Sequence, residues 1–387
     1  MVKLLYIADF TERYPHELLK GILEFSGKSE RFIIYKMPIS YFSSVGTRKL
    51  AEWATSKKMD VVIGRFEKRS DILEFQRGGN VVFSQGFRHA LPGVINIVTE
   101  NRTVGRMAAE HFVEQGFRHF AFFGYRGVYW SEDRCGGFCG RLRELDYKEK
   151  VYIYDHQKIS DRLDYNPEKI GRWLKSLPKP VAVLCCDDNE ALVLQDVCDL
   201  SGLNCPMDVA LVGVDNDEMI CTMADPPISS IQIDIQHGGY RVAQMALDML
   251  KGSNTGITDV RLKPLYIVQR VSSSTVVTTD KVILSAIRFI NDSLDRKINV
   301  SNVLEIVPMS RRLLEYRFRA ATGKTVYQYI LERKMNRFKQ RLLESDEPVG
   351  NIAAMMEEPD TKGISRAFKK LYGMTPSEYR NNNMGRG

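Results

Sequence analysis

Up to about residue 270 the chain alternates short runs that are apolar on both faces with stretches of helical period, and then the alternation stops. The runs are residues 3–8, 31–35, 60–63, 80–83, 119–123, 151–154, 181–184 and 209–214. A strand with one wet face alternates apolar and polar residues, so these runs suit strands buried between two layers in a parallel sheet. Helix-period stretches lie between them at 15–25, 50–57, 103–115, 188–200 and 238–250. Strand–helix alternation of this kind predicts a doubly wound α/β architecture, and its length exceeds one layer set, so two lobes are expected.

Charge divides at the same boundary. The chain carries a net charge of +7, but residues 281–387 hold 20 Lys/Arg against 12 Asp/Glu, whereas residues 1–280 hold 35 against 36. All 7 cysteines and all 6 histidines precede residue 281. Two such regions imply two domains with different partners, the basic one suited to a polyanion. The Ser/Thr-rich stretch 271–281 is read as the linker between domains at 1–270 and 282–385. The odd cysteine count and the adjacent pair Cys185–Cys186 argue for free thiols in a reducing compartment. Cys135 and Cys139 lie one helical turn apart without the further ligands of a structural zinc site, so neither a metal nor a cofactor is expected. Residues 321–325 resemble the end of a phosphate loop, but Phe318 stands where its first glycine belongs. No stretch approaches the roughly 20 apolar residues of a membrane span, and a charge follows the first residues too soon for a secretion signal. A cytoplasmic protein without a membrane partner is expected.

Ligands of doubly wound folds sit beyond the carboxyl ends of the strands. There the chain places Asp9, Phe10 and Tyr14; Tyr125, Tyr129, Trp130 and Arg134; Asp187 and Asp188; and Asp215 and Asn216. Carboxylates, amides and guanidinium groups make paired hydrogen bonds to vicinal hydroxyls, and aromatic rings cover the CH face of a sugar. The set fits a sugar or polyol. The aspartates could instead cap helices; for Asp188 both readings stay open, while Asp215, followed by no strong helix, favours the ligand. Residues 180–192, 208–216, 226–230 and 238–250, with 110–124 and Arg134 ahead of Gly137–Phe138, resemble the effector domain of the LacI/GalR repressors, itself similar to periplasmic sugar-binding proteins. The resemblance implies a two-lobed fold with sugar contacts from Arg134, from Asp187 or Asp188, and from Asp215. The DNA-binding headpiece that opens LacI/GalR chains has no counterpart before the first strand pattern.

Beyond residue 280 the pattern is helical. Ser301 opens a helix to Val307, Pro308–Met309–Ser310 interrupts it, and Ser310 caps a second helix to Ala321. Helix, short turn, helix is the helix-turn-helix signature. Leu314 and Phe318, four apart, pack inward and leave Arg311, Arg312, Tyr316, Arg317 and Arg319 for phosphates and base edges. A long helix follows, then a second unit at 349–356 and 362–371. Residues 310–318, Thr322–Gly323 and 365–380 resemble the AraC-family signature. That resemblance implies an all-α domain of two helix-turn-helix units that present recognition helices to successive major-groove faces. Its candidate DNA-binding residues are Ser310, Arg311, Arg312, Tyr316 and Arg319, then Lys362, Arg366 and Lys369. Two departures stand out: Glu357–Glu358 replaces the usual Gly-Phe, and Gly363 replaces an aromatic. Carboxylates beside DNA repel phosphate and a mid-helix glycine costs about 1 kcal/mol, so the first unit is expected to be the main base reader.

The two resemblances together imply a sugar-responsive transcriptional regulator. The expected partners are double-stranded DNA, a sugar effector, a second copy of the chain and RNA polymerase. A pentose, xylose first, is the expected effector of an activator whose lobes close about a hinge; another sugar or a sugar acid is the alternative. A carbohydrate-acting enzyme built on Asp187, Asp188 and Asp215 would need a nucleophile–base pair or a metal that the His and Cys spacings do not supply, so no catalytic residue is expected.

Overall fold

The structure is a computed structural model that describes residues 1–66, 68–85, 91–147, 151–156, 166–253, 259–274, 280–345, 347–357 and 360–384. The first lobe opens with β1 (Val2–Ala8), α1 (Arg13–Lys28), β2 (Phe32–Pro38), α2 (Ile39–Val45), α3 (Thr47–Ser56), β3 (Val61–Arg65), α4 (Arg69–Arg77), β4 (Val81–Gln85) and β5 (Val94–Thr99). The second runs through α5 (Asn101–Glu114), β6 (His119–Tyr125), α6 (Tyr129–Glu144), β7 (Tyr152–His156), α7 (Pro167–Ser176), β8 (Val181–Cys185), α8 (Asp188–Ser201), β9 (Val209–Val214), α9 (Glu218–Met223) and β10 (Ser229–Ile233). The chain recrosses for α10 (Ile235–Leu250) and β11 (Asp259–Leu262), and returns for β12 (Pro264–Val268).

The sheets have orders β11-β5-β4-β3-β1-β2 and β12-β10-β9-β8-β6-β7. All pairings are parallel except β10–β12. Six of the eight apolar runs are interior strands, as their composition requires, but 31–35 and 151–154 form the edge strands β2 and β7, and β2 is buried only at Phe32. Strands β5, β10, β11 and β12 escaped the pattern because each carries polar residues or is short: Asn96 interrupts β5, and Ser229, Ser230 and Gln232 dilute β10. The crossings are laced together by Glu100 N–H donating to the Leu262 carbonyl at 2.9 Å and Asp234 N–H to the Lys263 carbonyl at 2.9 Å. At the crossings the lobes are therefore joined by a few shared backbone bonds.

The Ser/Thr stretch read as linker is divided. Ser272 and Ser273 are fully buried, and Ser272 donates its hydroxyl to the Leu211 carbonyl at 2.7 Å while accepting from Ser229 N–H at 2.8 Å. Small hydroxyl side chains here complete the hydrogen bonding beside β9 and β10 rather than loosen the chain. Residues 275–279 lie outside the described residues.

The remainder is helical: α11 (Lys281–Asp292), α12 (Val300–Ile306), α13 (Arg311–Thr322), α14 (Val326–Glu344), α15 (Val349–Met355), α16 (Thr361–Tyr372) and α17 (Pro376–Met384). Asn299, not Ser301, initiates α12 through a reciprocal capping box with Asn302. One core gathers Ile287, Val303, Leu314, Phe318 and Ile330, another Phe338, Ile352, Ile364 and Phe368; α14 threads both. The two units are a repeat at a spacing of 50 residues. Caps Ser310 and Asp360, core residues Phe318 and Phe368, and the left-handed closing glycines Gly323 (φ 71°) and Gly373 (φ 75°) correspond one to one. Glycine ends both α13 and α16 because that backbone region costs other residues about 1–2 kcal/mol.

Candidate functional site

Arg134 of the second lobe stands at the boundary between the lobes, beside Asp215, and the boundary there is the candidate cleft. The residue lies in the second turn of α6, which meets α5 backbone to backbone: a Cβ on Gly105 would fall 2.0 Å from the Arg134 carbonyl. Its side chain is nearly buried, at 5% exposure. Nε donates to Asn101 Oδ1 at 2.9 Å, Nη1 donates to the Cys186 carbonyl, and Nη2 lies 3.6 Å from Asp215 Oδ1. Trp130 covers the guanidinium, 5.1 Å from its ring centre, and meets Tyr125 edge-on at 6.2 Å. A buried cation costs several kcal/mol unless it is paired and hydrogen-bonded, and each nitrogen here has that compensation.

Asp215 and Asn216 form a strained turn after β9, with φ of 95° and 51°. Asp215 N–H donates to the Ile231 carbonyl at 3.0 Å and Asn216 N–H to Ser230 Oγ at 2.9 Å, which hold the turn. From the first lobe, Arg13 Nη1 donates to the Asp215 carbonyl at 3.2 Å, so the lobes meet here. Tyr14 lies beside Tyr6, Tyr129 and Asp215; burial first, then these neighbours, push its hydroxyl well above the usual range. Gln85 Nε2 donates to Tyr6 OH at 3.2 Å. Phe10 packs edge-on against Tyr6 at 5.4 Å and carries the Lys36 ammonium 5.1 Å above its ring. Exposed Asp9 accepts from Thr11 N–H at 3.0 Å and Thr11 Oγ at 2.7 Å, which hold its carboxyl below the usual range.

The two central aspartates differ in use. Asp187 caps α8, accepting from Glu190 N–H at 2.8 Å. Asp188 is buried and spans from α8 to the strained turn, accepting from Ser230 Oγ at 2.5 Å and Asp217 N–H at 2.7 Å; burial raises its pKa well above the carboxylate range. Asn216 is likewise committed, donating to Gln232 Oε1 at 2.8 Å and accepting from Arg270 at 2.9 Å. Thus Phe10, Tyr14, Trp130, Arg134 and Asp215 come together at the lobe boundary, while Asp188 and Asn216 brace it. Arg13 and Gln85 were missed, although the rule of inspecting strand carboxyl ends reaches both. Among the described residues no cluster of three or more His, Cys, Asp or Glu side chains could hold a metal ion.

On the helical domain, Ser310 caps α13 through Leu313 N–H at 3.4 Å, leaving Arg311, Arg312, Tyr316 and Arg319 exposed. Arg317 is not free for DNA as expected: it turns back to pair with Asp280. On α16, Lys362, Arg366 and Lys369 are exposed. Arg312, Tyr316 and Arg319 occupy the second, sixth and ninth positions after their cap, and Lys362, Arg366 and Lys369 the same positions after theirs. Spacing of four and three keeps each set on one helix face. Gly363 is not mid-helix but the third residue of α16; a Cβ there would meet Asp360 Oδ2 at 2.4 Å, and its N–H instead receives the cap at 2.8 Å. Glu357 does not stand free beside DNA either: its carboxylate accepts from Lys297 N–H at 3.0 Å. Glu358 lies outside the described residues.

Residues 109–273 match the periplasmic binding protein-like domain family, and residues 303–382 a helix-turn-helix domain family. The xylose operon regulatory protein of Haemophilus influenzae is 29% identical over 290 residues, 74% of each chain. The multiple antibiotic resistance protein MarA of Escherichia coli is 32% identical over 107 residues, 27% of this chain and 84% of that one. A solved structure described as the xylose-binding transcription activator xylR shares the fold over 98% of both chains, with a TM-score of 0.61 and 22% identity. These domains define a DNA-binding transcriptional regulator, not an enzyme. The chain belongs to the AraC-type helix-turn-helix regulators, joined here to a periplasmic-binding-protein-like effector domain. Among the described residues no helix is long and apolar enough to cross a membrane.

Proposed function

We propose that the chain is a sugar-responsive activator of pentose-catabolic genes, with xylose as effector, acting as a cytoplasmic homodimer that brings RNA polymerase to its promoter. The sensor is residues 1–270, with the buried Ser272 and Ser273 packed on it, and the reader is residues 282–385, entered through the helix that begins at Lys281. The observation that carries this reading is the buried Arg134 fork set against Asp215 where the two lobes meet. A neutral polyol placed there exchanges water for a guanidinium, a carboxylate and aromatic walls from Phe10, Tyr14 and Trp130 without bringing a charge of its own. Sugar binding across the boundary favours the closed arrangement by its differential affinity for the two states. Arg311, Arg312, Tyr316 and Arg319, with Lys362, Arg366 and Lys369, contact DNA from the two exposed faces.

Arg13 and Lys36 give the first lobe two further cations near the cleft, which favours a sugar acid as the competing effector. Melting-temperature shifts with pentoses, hexoses and uronates separate the readings, followed by promoter binding at fixed salt with each compound. Xylose is expected to raise the melting temperature and change DNA affinity. A clear shift with a uronate and none with xylose removes xylose as the effector.

A further inference from the structure

We infer that Arg270 and Gln269 form the relay that carries effector state from the Asp215–Asn216 turn to the DNA-binding domain, with Arg333 as its receiver. The inference rests on the sugar reading above and adds the route by which the bound sugar acts.

The route is continuous on the effector side. Asp215 faces Arg134 and Arg13 in the cleft, and Asn216, its neighbour, accepts from Arg270 Nη2 at 2.9 Å. Arg270 is held in place by two further bonds, Nη1 to the Ile228 carbonyl at 2.8 Å and its own N–H to Ser229 Oγ at 2.8 Å. The preceding residue, Gln269, is gripped from the other domain. Arg333 of α14 donates Nη1 to Gln269 Oε1 at 2.5 Å and Nη2 to the Gln269 carbonyl. Its Nε donates to Asn291 Oδ1 of α11 at 2.9 Å, so one buried guanidinium ties the residue that follows the sensor's last strand to two helices of the reader. Because α14 also threads the cores of both helix-turn-helix units, a displacement of Arg333 reaches both recognition helices.

In this relay the strained turn takes the part of the two-state element that such coupling needs. Two successive non-glycine residues with positive φ store backbone strain that their surroundings must hold, and the contacts from Arg13 and Arg134 are among those that hold it. A ligand that replaces either bond shifts Asn216, and with it the two-residue link 269–270.

The test uses the full-length protein, xylose, and a promoter fragment bound by the wild type. Calorimetry gives the sugar affinity, and DNA binding at fixed salt with and without sugar gives the coupling ratio. Couplings of ordinary size change affinity about 5- to 150-fold. Arg270→Lys and Arg333→Met are each expected to keep sugar affinity within about 2-fold, and to keep DNA binding without sugar, while the coupling ratio collapses toward one. The double variant should respond no less than either single one, since both cut one route. Arg270→Lys retains a cation and tests the route even where Arg333→Met lowers stability. A wild-type coupling ratio in both variants, or additive losses in the double, overturns the relay alone. A wild type that binds neither xylose nor any other sugar in the panel removes the sugar reading, and the relay with it.

Discussion

Arg134 in the cleft is almost wholly buried and each nitrogen of its guanidinium is turned to a protein acceptor, whereas Arg311, Arg312 and Arg319 on α13 stand in solvent. On the proposed function the difference follows from what each region binds. A neutral sugar brings no charge to offset desolvation, so the cleft must hold its charged groups pre-paired and correctly aimed before ligand arrives. DNA brings its own counterions and releases them on binding, so exposed cations need no prior partner. Removing one residue from the cleft should therefore be far more costly than removing one from the reader.

The largest expected effect is at Arg134. Arg134→Ala removes the guanidinium proposed to meet the sugar hydroxyls; charged hydrogen bonds to them are worth about 1.5–3 kcal/mol each, so effector affinity should fall about 100-fold or more while DNA binding without sugar persists. Arg134→Lys should lose nearly as much, because one ammonium cannot replace a planar fork serving three acceptors. Calorimetric titration checks both. Near-normal sugar affinity in Arg134→Ala would break the contrast between the regions at its centre.

His111 of α5 tests whether the buried regime extends to the seam between the domains. Burial, then the Arg333 guanidinium, lower its pKa from 6.5 to about 4, and its ring lies 3.0 Å from Ser273 Oγ. With the folded pKa depressed, the unfolded chain takes up the proton first as pH falls. The stabilisation is complete above about pH 6.5 and is lost as pH drops from there to about 4, by at most roughly 3 kcal/mol. Denaturant melts at pH 7 and pH 4.5 should show this loss in the wild type and a smaller one in His111→Gln. Equal losses would place the acid sensitivity elsewhere.

The contrast also explains what could be read in advance. Strands such as β8 and β9 declare themselves because every residue in them is buried. Arg134 and Asp215 could be nominated because strand ends are where ligands bind. Whether Asp187 or Asp188 caps α8 depends on the extended backbone of Asp187, φ −150° and ψ −179°, and no residue pattern distinguishes the two. The commitment of Asn216 comes from Arg270, 54 residues away, a contact no local period encodes. The 50-residue repeat of caps, core residues and closing glycines was present in the sequence, and aligning Phe318 with Phe368 would have revealed the matched exposed positions.

On the reader, single losses should be modest and distinctive in kind. Arg311→Ala and Arg312→Ala are each expected to weaken DNA binding by about 1 kcal/mol and to reduce the salt slope by about 1 for each phosphate contact removed. Their effect on sugar affinity should be nil. Binding isotherms across a salt series check this; an unchanged slope would mean that the exposed arginines of α13 do not meet phosphate.

The smallest effects are expected at Glu357, where the second unit departs from its family. Residue 357 sits at φ 52°, a conformation that favours glycine, and its carboxylate accepts the Lys297 N–H of the first unit. Glu357→Gly relieves backbone strain of about 1 kcal/mol and loses a hydrogen bond worth about 1 kcal/mol, so stability should change little. Glu357→Ala keeps the strain and loses the bond, and should cost about 1 kcal/mol. If this carboxylate serves the fold, Glu357→Gln should change DNA affinity less than about 2-fold at 0.15 M salt, where the screening length is about 8 Å. A marked gain in affinity would instead place the carboxylate against phosphate and make the second unit a reader restrained by its own charge.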